Sequence, residues 1–462
     1  MTDKNASAAY IRFLADSRKK AFDRDHRSTI AFNMRRYDDA VVAGKKQFAN
    51  LETARRRAAV RKHHVLENLE DHLKTFEQQF TARGGKVIYA QDAGEARRAI
   101  LEILEKQFVK EVVKSKSMVS EETGLTEFLE KNGITCLETD LGEYIVQISE
   151  DKPYHIVTPA MHLSAADVSA IFHKKFNLPE DATPEDITAF VRTNLREKFM
   201  TAQAGITGAN FLVAGSGAVA LTENEGNGLF SVSAPRIHIV LTGIEKLIPT
   251  TGDLDLFWPL LASHGTGQKM TAYNSLIFGP KKTGEADGPE QMYIILLDNG
   301  RSRLLGTTPQ RRSLACIRCG ACLNACPVYR NIGGHAYGTV YSGPIGAVIS
   351  PHLTGKPDSY KHLSYASSLC GKCTDVCPAG IDLHHQLLFN RQFSVKQGFS
   401  TRSERLGIFA YKKSMGKRKW LNLPSHRLKN IVASMLFNKS WGKKRVLPKV
   451  VKSFNQRYQE VE

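Results

Sequence analysis

Apolar residues recur at helical spacing along the first 80 residues of the chain. One face of the proline-free stretch 45–80 carries Val60, Leu66, Leu69, Leu73 and Phe76. This spacing is typical of amphipathic helices whose apolar stripe packs on a core. The sequence therefore predicts long helices over residues 1–80, and it predicts a solvated face without any ligand for Arg55, Arg56, Arg57 and Arg61.

From Gly84 onward the pattern changes to short apolar runs separated by polar or helical stretches. The candidate strands are 86–90, 112–114, 134–138, 210–214, 218–222, 237–241 and 292–298, and a helical stretch covers 93–107. Strands that alternate with helices predict a parallel sheet built from crossover units. We therefore expect one α/β domain over residues 81–300, with Cys136 as a packing residue on a buried strand.

Seven of the eight cysteines lie in two short runs. The first run is Cys316-x2-Cys319-x2-Cys322-x3-Cys326-Pro327, and the second is Cys370-x2-Cys373-x3-Cys377-Pro378. The first has the spacing of bacterial two-cluster ferredoxins, in which the fourth cysteine ligates the other cluster. That rule assigns cluster 1 to Cys316, Cys319, Cys322 and Cys377. It assigns cluster 2 to Cys326, Cys370 and Cys373.

Zinc knuckles or a disulfide framework are the alternative interpretation of these cysteines. Structural zinc sites usually take paired Cys-x2-Cys hairpins in sets of four ligands, so the run of three closely spaced thiols favours iron. The second run lacks its first cysteine, and the equivalent position is Ser367. Three possibilities remain open for cluster 2: a [4Fe–4S] cluster with a non-cysteine fourth ligand, a [3Fe–4S] cluster, or an iron open to solvent or to a partner.

The residues that flank the cysteine runs indicate the fold around them. Residues 313–315 and 381–390 have a helical pattern, so we expect an all-helical two-cluster ferredoxin domain over 301–395. The glycine-rich run 333–338 directly follows the first cysteine run and is interpreted as wrapping a cluster. No Gly-x-Gly-x-x-Gly run follows a strand, so the sequence predicts no dinucleotide site. Loops 214–217 and 223–228 predict a turn-rich hairpin that either lines a pocket or forms plain β-turns.

Composition narrows the class of protein. A chain of 462 residues should hold two or three domains, and its 42% hydrophobic and 24% charged content is ordinary for a globular protein. No uninterrupted apolar stretch is long enough to span a membrane, and residues 1–18 lack the apolar core of a signal peptide. Clustered free thiolates require a reducing compartment, so we expect a cytoplasmic protein without disulfides.

Positive charge is concentrated at the carboxyl-terminal end of the chain. Residues 391–462 hold 18 Lys or Arg and 3 Asp or Glu, a difference of +15 out of a net charge of +18. In the helical tail predicted for 396–462, Trp420 and Trp441 lie outside an apolar stripe formed by Leu428, Ile431, Val432, Met435 and Leu436. A solvated basic face, docking on a protein partner and peripheral association with a membrane all remain open. Nucleic acid is not expected, because no nucleic-acid motif accompanies the charge.

Several segments together resemble one family of proteins. These segments are 204–210, 316–330, 333–338, 341–346 and 367–371, and they resemble the lactate utilization protein B family. The resemblance implies an amino-terminal α/β domain similar in fold to sugar-phosphate isomerases and coenzyme A transferases, a LUD-type domain. It also implies two iron–sulfur clusters and one component of a three-component system that oxidises L-lactate to pyruvate. A serine at position 367 is usual in that family, whereas Gly215 replaces an acidic residue found in many relatives.

Three functions are compatible with this sequence. The first is an electron-transfer subunit that is not catalytic alone and works with other subunits of a lactate-oxidising complex. Gly320 and Gly371 would permit close approach of backbone to sulfide, while Arg318 and Lys372 either favour the reduced clusters or are exposed loop cations. The alternatives are an isomerase-like or coenzyme A transferase-like enzyme with accessory clusters, and an assembly scaffold with structural clusters. No catalytic residue is predicted.

Overall fold

The structure is a computed structural model that describes residues 7–307, 309–417, 425–437, 449–452 and 454–460. The chain divides into two compact units, Met1–Ser394 and Val395–Glu462. All the cysteines and the whole of the sheet structure given below belong to the first unit. Each unit is described separately.

A six-stranded parallel sheet forms the centre of the first unit. Its strand order is β1-β10-β7-β4-β2-β3, and all neighbouring strands pair in parallel. The strands are β1 Lys86–Ala90, β2 Glu111–Lys114, β3 Thr135–Glu138, β4 Ala204–Thr207, β7 Ile237–Gly243 and β10 Gln291–Leu297. Strands β4 and β7 are buried along their whole length, as expected for a parallel sheet covered on both faces. The parallel α/β fold is confirmed.

A second, four-stranded sheet was not predicted as a separate layer. It has the order β8-β5-β6-β9 and consists of β5 Phe211–Val213, β6 Ala218–Glu223, β8 Leu247–Ile248 and β9 Tyr273–Ile277. Two strands predicted from their apolar pattern, 210–214 and 218–222, therefore form an antiparallel hairpin in this sheet and do not extend the parallel one. The turn of the hairpin packs on the amino-terminal helices, because a Cβ on Gly217 would lie 2.6 Å from the backbone nitrogen of Phe80.

Helices cover both sheets and form the amino-terminal end of the chain. The amino-terminal helices are α1 Ala8–Phe22, α2 Arg24–Lys45, α3 Leu51–Glu67 and α4 Leu69–Thr81. Those between or beside the strands are α5 Ala93–Lys106, α6 Met118–Thr123, α7 Leu125–Lys131, α8 Leu141–Ile148, α9 Ala165–Phe176, α10 Pro184–Thr201, α11 Asn227–Ser233 and α12 Leu254–Gly265. The predicted amphipathic stripe is correct for Leu66, Leu69 and Phe76, which are buried, but wrong for Val60, which is 66% exposed.

The cysteine runs lie among short helices. These are α13 Arg301–Gly306, α14 Ala321–Ala325, α15 Tyr329–Ile332, α16 Gly343–Leu353, α17 Lys372–Asp375 and α18 Leu383–Lys396, with 3-10 turns at Gln310–Ala315, His335–Tyr337 and Lys361–Tyr365. Apart from residue 308, which lies outside the described residues, the segment 301–395 contains helices and turns but no strand. The prediction of an all-helical domain around the cysteines is confirmed.

The carboxyl-terminal unit contains helices with exposed apolar side chains. They are α19 Arg402–Gly416, α20 His426–Phe437 and α21 Phe454–Gln459. On α20 the predicted stripe is exposed at Leu428, Ile431, Val432 and Met435, whereas Trp420, Trp441 and the side chain of Leu436 lie outside the described residues. None of the described helices combines the length and the apolar character needed to cross a bilayer.

Candidate iron–sulfur site

Four of the predicted ligands line one cavity in the first unit. Cys316, Cys319 and Cys322 come from the loop before α14 and from α14 itself, and Cys377 comes from the end of the second run. The other walls are mainly apolar and include Ile156, Ile317, Ile345, Ala379, Ile381 and Leu383. None of the eight cysteines, all of which lie among the described residues, forms a disulfide. The two runs therefore meet at this cavity.

Backbone conformation directs the first run around this cavity. Arg318 and Gly320 both adopt positive φ angles, of 62° and 78°, which turn the chain so that the thiols converge. The backbone N–H of Arg318 donates to Cys316 Sγ at 3.4 Å, and the N–H of Ile381 donates to Cys377 Sγ at 3.3 Å. Such N–H donors stabilise sulfur that carries negative charge.

The buried thiols need a cation to become thiolates. The pKa of Cys377 is raised to about 11, mainly by burial. The charge of Cys316 also raises this pKa, whereas the N–H of Ile381 lowers it. Burial also raises the pKa of Cys319 and of Cys322, and each is raised again by the neighbouring cysteines. A bound metal removes the thiol protons outright, so this donor set fits a metal centre and disfavours free thiolates.

The spacing of the sulfur atoms fits a cluster better than a single zinc ion. Tetrahedral zinc with Zn–S bonds of about 2.3 Å would bring its thiolates to about 3.8 Å from one another. Among the described residues, which include every cysteine, no three cysteine sulfur atoms lie within 4.8 Å of one another. These sulfur atoms are therefore farther apart than the ligands of a tetrahedral zinc ion.

The second group of cysteines lies closer to the protein surface. Cys326 and Cys373 are buried, whereas Cys370 is exposed. The charge of Cys370 raises the pKa of the other two, in addition to their burial, which is the larger cause. Cys370 itself has a lowered pKa, mainly because the N–H of Lys372 stabilises its thiolate. The structure thus brings together Cys326, Cys370 and Cys373 as a second set of donors.

Ser367 occupies the same local geometry as Cys316. The backbone N–H of Leu369 donates to Ser367 Oγ at 3.1 Å, just as the N–H of Arg318 donates to Cys316 Sγ. Leu369 and Gly371 also repeat the positive φ angles of Arg318 and Gly320, at 53° and 82°. The second run therefore folds like the first, with a hydroxyl where the first has a thiol.

A buried ionic network surrounds the first group of cysteines. Arg301 donates to Glu245 Oε2 at 2.6 Å and to both oxygens of Glu122 at 2.8 and 2.9 Å, and Arg318 donates to Glu245 Oε1 at 3.3 Å. Burial disfavours ionisation of Glu245, but the charges of Arg301 and Arg318 outweigh it and lower its pKa to about 2. The guanidinium of Arg318 also lies over the ring of Tyr341, 4.4 Å from its centre.

The two cations beside the ligands differ in environment. The side chain of Arg318 is only 9% exposed, so it is a buried charge of the site and not a loop cation. Lys372 is exposed, in agreement with the simpler interpretation of that residue. Lys62 and Lys246 lie close enough to Cys316 for its charge to raise the pKa of each, although burial dominates and lowers both. Cationic side chains therefore accumulate on one side of the first group.

An amino-terminal arginine contributes to the site in a way that the sequence did not predict. Arg55 of α3 donates from Nε to the carbonyl oxygen of Cys377 at 3.0 Å and from Nη2 to that of Thr374 at 3.3 Å. Its side chain is 19% exposed, whereas that of its neighbour Arg56 is 78% exposed. The prediction of a solvated face is wrong for Arg55, because helical periodicity does not reveal which distant segment will cover a polar side chain.

The glycine-rich run does not wrap the first group directly. Gly333 and Gly334 pack against Tyr154, where a Cβ at either position would overlap the tyrosine. From the same run, Tyr337 is buried close to Cys322 of the first group and Cys326 of the second, and the charges of both raise its pKa in addition to burial. The run thus places an aromatic ring near both sets of cysteines.

Comparisons with protein families agree with these two regions. The LUD domain matches residues 73–297, and the 4Fe-4S dicluster domain matches residues 312–381. The second match covers the buried cysteine group and the surface group together. The chain is therefore an iron–sulfur protein that joins a LUD domain to a domain of the ferredoxin kind.

Relatives of similar length define the family. Lactate utilization protein B of Bacillus thuringiensis is 46% identical over 76% of this chain and 74% of its own. The protein of the same name from Bacillus subtilis is 44% identical over 79% and 76%, respectively. An Escherichia coli protein described as the uncharacterized electron transport protein YkgF is 43% identical over 80% of this chain and 78% of its own. The chain belongs to the lactate utilization protein B family.

Proposed function

We propose that this protein is the iron–sulfur electron-transfer subunit of a multi-component system that oxidises L-lactate to pyruvate. The proposal is supported by the names of the relatives, which refer to lactate utilization and to electron transport. It is supported equally by the dicluster domain match over both cysteine runs. Other subunits supply the site of lactate oxidation in this account.

The observation that carries the proposal is the unequal burial of the two cysteine groups. The first group lies in a mainly apolar cavity, with Cys319, Cys322 and Cys377 buried, while Cys370 of the second group is exposed. A largely buried site and a second site at the surface suit passage of electrons between the interior and a partner. Structural sites would not require one donor set to reach the surface.

We assign two [4Fe–4S] clusters to these groups. Cluster 1 takes Cys316, Cys319, Cys322 and Cys377. Cluster 2 takes Cys326, Cys370 and Cys373, with Ser367 as its fourth ligand through the hydroxyl oxygen. The domain limits in this assignment stay those predicted from the sequence: 1–80, 81–300, 301–395 and 396–462.

Clusters of this type supply one-electron transfer, and the chain sets the conditions for it. The N–H groups of Arg318 and Ile381 donate to sulfur and thereby favour the more negative, reduced state. The buried charge of Arg318 acts in the same direction. Arg55 donates to the carbonyl oxygens of Thr374 and Cys377 and thereby fixes the position of the second run relative to the first.

The test uses Cys319→Ala in the full chain combined with its partner subunits under anaerobic conditions. We expect loss of cluster 1 from the spectrum and at least a hundredfold slower lactate-dependent electron flow, because one of four ligands is missing. The matched control is Cys136→Ala, since Cys136 is the one cysteine outside the two runs and is buried on β3. Electron flow that is unchanged in Cys319→Ala would contradict the proposal.

A further inference from the structure

A second, larger cavity adjoins the first cysteine group. It has a volume of about 420 Å³ and lies at the carboxyl ends of strands in the six-stranded sheet. Ser117 follows β2, Asp140 follows β3, Asn210 follows β4 and Lys246 follows β7, and all four line the cavity. Open parallel sheets bind their ligands at this edge. The size is within the range of cavities that hold small molecules.

One wall of this cavity is cationic. Lys246 is only 7% exposed, and its ammonium has no hydrogen bond or ion pair within the part of the chain that the structure describes. Arg318 lies in the same wall, and its Nη1 is buried without a hydrogen-bond partner among the described residues. Burial and the charge of Arg318 lower the pKa of Lys246 to about 8. The buried Nη1 of Arg318 lacks an acceptor, which costs free energy that a bound anion would recover.

The other polar groups of the lining are hydrogen-bond acceptors and donors. Asp140, Glu223 and Glu225 contribute carboxylates, and Lys116 lies close enough to Glu225 for its charge to lower the pKa of that carboxyl, although burial raises it more. Thr158, Asn210 and Thr222 contribute hydroxyl and amide groups. Glu223 and Glu225 already accept backbone N–H groups, from Gly228 at 2.6 Å and from Leu141 at 3.0 Å, so they are fixed in place. A ligand with both a carboxylate and a hydroxyl group would satisfy both kinds of wall.

The cavity also touches the first cysteine group directly. Cys319 lines both this cavity and the smaller one that it shares with Cys316, Cys322 and Cys377. Arg318 lies between the two as well and lines each of them. A ligand held by the cationic wall would therefore lie against the protein shell of cluster 1.

We propose that this cavity binds a small hydroxy carboxylic acid, with its carboxylate on Lys246 and Arg318 and its hydroxyl toward the acidic wall. This inference rests on the proposed function, because the test observes the ligand through its effect on the EPR signal of cluster 1. It adds a binding site of stated chemistry that is lined by residues of the LUD domain and of the iron–sulfur domain. Loop 223–228, interpreted from the sequence as either a plain turn or a pocket wall, belongs to the lining, whereas loop 214–217 does not.

The experiment is an anaerobic titration of the full chain with L-lactate, followed by calorimetry and by the EPR spectrum of the reduced clusters. Sodium chloride and inorganic phosphate at equal ionic strength are the reference anions. Iron content is measured first in every sample, so that a failure of the clusters is distinguished from a failure of the cavity. We expect L-lactate to give a saturable heat and to shift the EPR signal of cluster 1.

Variants then locate the binding. Lys246→Met should weaken L-lactate binding by about tenfold to a hundredfold, because it removes one charged hydrogen bond to the anion. Lys110→Gln is the matched control, since Lys110 is exposed and precedes β2 at the opposite end of the sheet. Ala209→Phe provides a second test that leaves every charge in place, because Ala209 lines the cavity and a larger side chain would fill it.

Several results would overturn the proposal. One is an iron-loaded protein whose heat and EPR spectrum do not respond to L-lactate, which would leave the electron-transfer function intact. Another is binding of L-lactate that persists unchanged in both Lys246→Met and Ala209→Phe. An equal response to chloride, or tighter binding of phosphate, would also contradict a site that recognises hydroxy carboxylates.

Discussion

Arg318 and Leu369 adopt a backbone conformation that is uncommon for residues with a side chain. Both have positive φ, both lie two residues after a candidate ligand, and both donate an N–H to it. The cost of this conformation is about 1–3 kcal/mol for each residue, and it is usually retained where a functional site requires it. The repeated geometry makes Ser367 the counterpart of Cys316.

Ser367→Ala tests this equivalence. We expect loss of the fourth ligand to convert cluster 2 into a three-iron form, with the iron content falling from about eight to about seven per chain. The measurement is iron analysis together with EPR of the oxidised protein, in which a three-iron cluster is paramagnetic. Ser367→Cys should keep about eight irons, since a thiolate replaces the alkoxide. Unchanged iron and spectra in Ser367→Ala would exclude the serine as a ligand.

Arg55 and Arg56 form a natural pair for a second prediction. Both bind Glu52, but only Arg55 reaches the carbonyl oxygens of Thr374 and Cys377. Arg55→Ala should destabilise the second run by about 1–3 kcal/mol, because buried acceptors lose a charged donor. The expected result is faster loss of the visible absorption of the clusters on mild heating, with Arg56→Ala behaving like the parent protein. Equal rates in the two variants would show that the contact does not hold the run.

At the scale of elements, one ionic network joins the sheet to the cysteine loops. Glu122 belongs to α6 and Glu245 follows β7, while Arg301 belongs to α13 and Arg318 to the first cysteine run. Glu245 binds both arginines, Glu122 binds Arg301, and Tyr341 donates to Glu122 Oε2 at 2.6 Å. The network therefore fixes the cysteine loops against the carboxyl edge of the parallel sheet.

Glu245→Gln should break this connection. The substitution removes a negative charge and leaves the buried charges of Arg301 and Arg318 less well balanced. Loss of one partner of a buried ion pair lowers the free energy of unfolding by about 3–5 kcal/mol. We expect a lower urea midpoint under anaerobic conditions, measured by tryptophan fluorescence. The control is Glu102→Gln on α5, whose carboxylate is exposed and lies 3.9 Å from Lys106. A midpoint for Glu245→Gln equal to that of the control would mean that the network does not stabilise the fold.

The sequence pattern predicted most elements of the parallel sheet but not all of them. Runs rich in Val and Ile, such as β7 and β10, were recognised because both faces of these strands are buried. Strand β4 gave no signal because it is short and contains Gly205, where a Cβ would overlap the carbonyl oxygen of Ser231. Strands β8 and β9 were missed because the short β8 and the partly exposed β9 lack a continuous apolar run.

The candidate ligands could be predicted because the spacing of the cysteines in the sequence is typical of cluster binding. The residues that tertiary packing brings next to them could not. The cysteine runs define their own pairing, because ligands three residues apart must serve one centre and the Cys-Pro step carries the chain onward. The ionic surroundings were not predictable. Lys62, Glu245 and Arg301 come from separate segments and meet only through the packing of α3, the sheet and α13.

At the scale of the whole molecule, the chain combines a LUD domain with an iron–sulfur domain inside one compact unit. The carboxyl-terminal unit adds helices with exposed apolar residues and a strong positive charge. All seven cysteines proposed as cluster ligands lie in the first unit. The role of the tail in docking on a partner or a membrane stays a prediction.

The most direct test of this account is the iron and sulfide content of protein purified without oxygen, together with its Mössbauer spectrum. The account predicts about eight irons and about eight sulfides per chain, in two [4Fe–4S] clusters. Cluster 2 should show one iron site that differs from the others because oxygen binds it. Colourless protein, or protein that holds zinc at the cysteines, would contradict the central claim.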